Sequence, residues 1–75
     1  MNMHLADHPQ PCPLSEKEKS VTKWLAMGKT MGETAEILGC HLMTVSRRMI
    51  TAREKTGDYT LHGFIARSVR NGWVE

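Results

Sequence analysis

What most constrains this chain is the regular placing of helix starts and helix stops along it. Ser15 stands three residues before Glu18, and Thr30 three before Glu33. Each pair is a capping box: the hydroxyl accepts an amide of the first turn, and the glutamate reaches back to the capping residue's own N–H. Gly28, Gly39 and Gly57 supply stops, because glycine enters the left-handed conformation that closes a helix without a Cβ clash. The spacing predicts a first helix ending at Gly28, a second from about Met31 to Leu38, a third from about Leu42 to Thr56, and a fourth capped by Thr60. No run of alternating apolar and polar residues competes, so the expected fold class is all-α.

The apolar residues then fall on faces. Val21, Trp24, Leu25 and Ala26 share one broad face of the first helix, and Ala35 and Leu38 turn inward on the second. On the third, Val45, Met49, Ala52 and Thr56 follow one another at helical spacing and form an inner stripe, leaving Ser46, Arg47, Ile50, Thr51 and Glu54 to point away. Leu61, Phe64, Ile65, Val69, Trp73 and Val74 give the fourth its apolar surface. Residues 1–13, with Pro9, Pro11 and Pro13 around Cys12, cannot sustain a helix and read as a flexible N-terminal arm or linker. Residues 14–75 are the single folded domain.

A chain of 75 residues buries a small core and has little stability to spare. Zinc and disulfides are not expected to add any. Cys12 and Cys40 form no CxxC pair, and His4, His8, His41 and His62 lie outside zinc-finger spacings. Cys40, in the turn before the third helix, reads as a half-buried small apolar residue. No stretch has the apolar length of a membrane span, and the first ten residues lack a signal peptide's basic-then-apolar layout. A cytoplasmic protein is expected, with no cofactor and no interior large enough for a small-molecule ligand.

The net charge of +2 matters less than its distribution. Lys17, Lys19, Lys23 and Lys29 are outnumbered by acids in residues 1–43, whereas Arg47, Arg48, Arg53, Lys55, Arg67 and Arg70 face only Glu54, Asp58 and Glu75 in residues 44–75. A positive third helix, following a short second helix across a tight turn, is the layout of a helix-turn-helix that enters a DNA groove.

These residues resemble the LuxR/GerE-type helix-turn-helix domain of bacterial transcription regulators. Leu14-Ser15-Glu16-Lys17-Glu18 stands where the family opens Leu-Thr-x-Arg-Glu, and Ala26-Met27-Gly28-Lys29-Thr30 where it has Ala-x-Gly-Lys-Thr. Glu33-Thr34-Ala35-Glu36-Ile37-Leu38 matches Glu-Ile-Ala-x-x-Leu, and Thr44-Val45 opens the recognition helix. Lys55-Thr56-Gly57 answers Lys-Leu-Gly, and Gly72-Trp73-Val74 answers the closing Gly-Leu-Ile. The resemblance runs from Leu14 to about Val74. It implies four helices, with the second and third binding double-stranded DNA and the fourth forming a homodimer through Phe64, Ile65, Val69 and Trp73. It also implies that Lys29, Thr30 and Thr44 meet phosphates, that Lys55 reaches a flanking phosphate, and that Ser46, Arg47 and Ile50 read base edges with Thr51 beside them. Arg48 is left between phosphate and helix packing.

The departures from the family are informative. Ser46 and Ile50 stand where relatives often carry Lys or Arg, so direct readout leans on Arg47, while Ile50 can still touch a thymine methyl and Ser46 can donate to several bases. Thr22, Thr34, Ala52 and Thr56 replace larger aliphatic residues, each at a cost of roughly 1 to 3 kcal/mol where a methyl-rich side chain is missing from a packed site. Met27, Met31, Met43 and Met49 are expected to fill the gaps.

The function expected from this reading is sequence-specific transcription regulation by a dimer on a two-fold site, recruiting or blocking RNA polymerase. Met1 favours a free-standing protein over a piece of a larger regulator. The alternative is a protein-interaction module, an inhibitor or adaptor that pairs with a full-length LuxR-type regulator through the fourth helix. An enzyme is not expected, because Ser15, His41 and Asp58 fall in caps and turns and no phosphate loop or paired-carboxylate site is present.

Overall fold

A computed structural model describes residues 10–75. Most of the expected arm, residues 1–9, lies outside the described residues. The rest is all-α, with α1 (Glu16–Ala26), α2 (Met31–Leu38), α3 (Leu42–Thr56) and α4 (Leu61–Arg70) and no strand among the described residues. None of these helices is long and apolar enough to cross a membrane.

Both capping boxes form. Ser15 Oγ accepts the Glu18 N–H at 3.1 Å while Glu18 Oε1 accepts the Ser15 N–H at 2.9 Å, and Thr30 and Glu33 exchange the same pair of bonds at 3.0 and 2.8 Å. Thr60 Oγ1 accepts from Gly63 N–H at 3.0 Å and starts α4. Only α3 begins without a side-chain cap, since His41 makes no such bond. At the other ends, Gly39 closes α2 with φ of 68° and Gly57 closes α3 with φ of 77°. A Cβ at either glycine would meet open space, so the requirement there is for the backbone conformation and not for room.

α1 and α3 cross the middle of the domain, each packing on all three other helices, and α2 and α4 flank them. Val21, Val45, Met49, Ala52 and Phe64 are the centre of the core, closed by Leu14, Ala35 and Val74. Three buried hydroxyls lie among them. Thr22, Thr34 and Ser68 each donate to the carbonyl four residues earlier, at 2.7, 2.8 and 2.9 Å, so none is buried unpaired and the core accepts them at little polar cost. Thr22 and Thr34 thus fill the sites where larger residues are missing, and Thr56 is only half-buried.

Two expectations about the core change. Met49 is buried and Met31 packs against the core, but Met27 and Met43 stand out in solvent, Met43 at 69% exposure. The helix periodicity explains this: Met43 lies two residues before Val45, about 200° round the helix from the buried line. Phe64, placed above among the dimer contacts, is 0% exposed and belongs wholly to the core.

The last described residues of the arm are docked. The backbone N–H of Gln10 donates to Asn71 Oδ1 at 3.0 Å, and the Trp73 indole N–H donates to the Gln10 carbonyl at 2.8 Å. This peptide segment is thereby held against the turn that ends α4.

Candidate nucleic-acid interface

Along α3, Val45, Met49 and Ala52 face the core, so the residues two positions earlier in each case, Met43, Arg47 and Ile50, form the opposite line. Glu54 continues it. Ser46 and Thr51 sit at the edges and are half-buried. The outward face therefore carries one exposed arginine between two apolar side chains, Met43 and Ile50, the latter 47% exposed. Leu42, 53% exposed, extends the apolar surface at the start of the helix. Sequence reasoning assigned neither Leu42 nor Met43 to this face, although the period that places Arg47 and Ile50 outward also places Met43 there.

The other cations of the helix are largely engaged. Lys55 Nζ donates to Glu18 Oε1 at 2.8 Å, which ties the end of α3 to the start of α1. Lys55, expected to reach a flanking phosphate, thus has its ammonium bonded to a buried carboxylate while its side chain stays 38% exposed. Arg53 Nη1 donates to the Tyr59 carbonyl at 3.4 Å. On α4, Arg67 Nε lies 3.0 Å from both oxygens of Asp58. Of the arginines in this half of the chain, Arg47 and Arg70 are exposed and Arg48 half-buried.

The expected contact residues gather in three places. Thr44, Arg47, Arg48 and Thr51 line one hollow with Glu18. Ile50 lines another with Arg53, Glu54 and the fully exposed Tyr59 of the loop between α3 and α4. Lys29 and Thr30 line a third, beside Leu61, His62 and Ile65. The Thr30 oxygen already accepts the Glu33 N–H, and its own N–H is taken by Glu33. What it can offer a phosphate is its hydroxyl proton and the free amides of the first turn of α2.

Two glutamates have pKa values set by this scaffold. Burial raises that of Glu18, but the bond from Lys55, the Ser15 N–H and the nearby ammonium charge together outweigh burial and hold the carboxyl below its ordinary value. Glu33 is lowered chiefly by the Thr30 backbone N–H. Both acids are therefore anionic structural acceptors.

Of the expected dimer contacts, Val69 is 50% exposed, whereas Ile65 and Trp73 are half-buried against the core. The polar end of Trp73 is occupied by Gln10. Compared with known proteins, the chain matches no family model and no curated relative.

Proposed function

We propose that the chain is a sequence-specific DNA-binding transcription regulator, with α2, the turn Gly39-Cys40-His41 and α3 acting as a helix-turn-helix of LuxR/GerE type. The observation that carries this reading is the outward face of α3. Its inner line is wholly buried while Arg47 stands exposed at the middle of the opposite line, the placement a recognition helix requires for a guanidinium to reach guanine O6 and N7. Lys29 at the start of α2 adds a phosphate contact that carries no sequence information. Two copies joined through Val69 on α4 would place two such helices on a two-fold site in the cytoplasm, and bound protein would recruit or block RNA polymerase there.

The test is selection from a pool of random duplexes, with the bound fraction recovered and sequenced at two salt concentrations. An enriched motif is expected, with Arg47→Ala weakening binding to it by roughly 1 to 3 kcal/mol and relaxing one base position. Absence of enrichment, together with equal affinity of wild type and Arg47→Ala for every duplex, overturns the reading. The exposed apolar residues Leu42, Met43 and Val69 would then favour the other reading, an inhibitor or adaptor that pairs with a full-length regulator.

A further inference from the structure

The outward line of α3 carries two apolar side chains beside its charged ones, Arg47 and Glu54. Met43 and Ile50 are exposed on either side of Arg47, and Leu42 is exposed beside Met43. Met43 and Ile50 share this line, whereas Leu42 is exposed as the first residue of the helix, and the cations Arg53 and Lys55 are bonded to other groups. In the major groove one base-edge feature is apolar, the C5-methyl of thymine. Building on the DNA-binding reading above, we propose that Met43 is a further specificity-determining residue, which together with the expected contact of Ile50 reads thymine methyl groups flanking the guanine taken by Arg47.

Helix geometry gives the expected layout of such a half-site. Arg47 lies four residues from Met43 and three from Ile50, or about 6 Å and about 4.5 Å along the axis at 1.5 Å per residue. Base pairs repeat about every 3.4 Å. The thymines should therefore fall within about two base-pair steps of the guanine, one on each side. Ile50 is the stiffer reader, because its β-branch restricts χ1, whereas Met43 has an unbranched chain that adapts to more than one position. Selectivity should accordingly be sharper on the Ile50 side.

The experiment replaces thymine with deoxyuridine, one position at a time, in the duplex enriched by wild-type protein. This removes a methyl group and leaves every hydrogen-bonding group in place. Loss of the methyl should weaken binding about threefold to fivefold at a position beside the guanine, the effect of removing one buried methyl-sized group. Ile50→Ala should bind the thymine duplex with a similar loss and become indifferent to the substitution on its own side. Arg47→Ala should lose the preference for guanine while keeping the response to deoxyuridine.

Equal binding of thymine and deoxyuridine duplexes at every position, with Arg47→Ala still relaxing the guanine preference, overturns the apolar readout and leaves the DNA-binding reading standing. A wild type with no preferred duplex overturns both. The first arm uses wild-type protein alone, so its outcome does not depend on the folding of any variant.

Discussion

The ammonium of Lys55, near the end of α3, lies 2.8 Å from the same Glu18 oxygen that accepts the Ser15 N–H at 2.9 Å. One carboxylate thus completes the cap of α1 and fastens the last turn of α3 to it. Lys55→Met should lower stability by about 1 to 2 kcal/mol, since the glutamate is buried but its partner is partly solvated and screened. The variant should change the dependence of DNA binding on salt by less than one unit of log-log slope. Lys29→Ala, by contrast, should flatten that slope by about one unit without moving the melting midpoint. Denaturant titration beside affinity measured at several salt concentrations separates the two lysines.

The same contact makes stability depend on acid. Glu18 and Glu33 are held below the ordinary glutamate value of 4.5, so the unfolded chain takes up protons before the folded one does. Their contribution is fully present above the ordinary value and is lost as pH falls through the lowered folded values. Melting midpoints measured from pH 6 downward should fall with a slope that Glu18→Gln reduces. A wild-type midpoint that does not change below pH 5 would contradict the arrangement.

Ser15→Ala and Thr30→Ala each remove a hydroxyl that accepts a first-turn amide. Each should cost about 0.5 to 2 kcal/mol, and replacement by Asp, which also accepts such an amide, should restore most of the loss. Circular dichroism melts of the four variants provide the measurement.

Val69 and Phe64 lie on α4 five residues apart but differ completely in setting, 50% and 0% exposed. Val69→Asp should keep its helical content, sediment as a monomer and lose cooperative binding to a two-fold duplex while retaining weak half-site binding, because only the coupling between half-sites is removed. Phe64→Asp should lose helical content outright, since a carboxylate would replace the largest buried ring of the core. Wild type that sediments as a monomer at high concentration would remove the dimer from the proposed function.

The helix boundaries were legible in the sequence because they are set locally. A capping box closes over four residues and a left-handed glycine over two, so Ser15, Thr30, Gly39 and Gly57 need no distant partner to act. The inner line Val45, Met49 and Ala52 was legible for the same reason, being a matter of period. Met43 was misjudged because its apolar character outweighed its register. Phe64 falls among the expected dimer contacts because the period of α4 marks an apolar stripe without marking its buried edge.

The sequence by itself determined the all-α class, the four helices and the outward position of Arg47, all consequences of interactions within a turn or two of backbone. The tertiary structure alone decided which cations are free. Glu18 and Lys55 are 37 residues apart in the chain, and Gln10 and Trp73 are 63 apart. Such pairs meet only when α1, α3 and α4 pack around the shared core, and no local pattern encodes their distance. That packing pairs Lys55 with Glu18 and the Trp73 indole with Gln10 and leaves Met43, Arg47, Ile50 and Glu54 as the outward face of α3, since a side chain's availability depends on what the other helices bring against it.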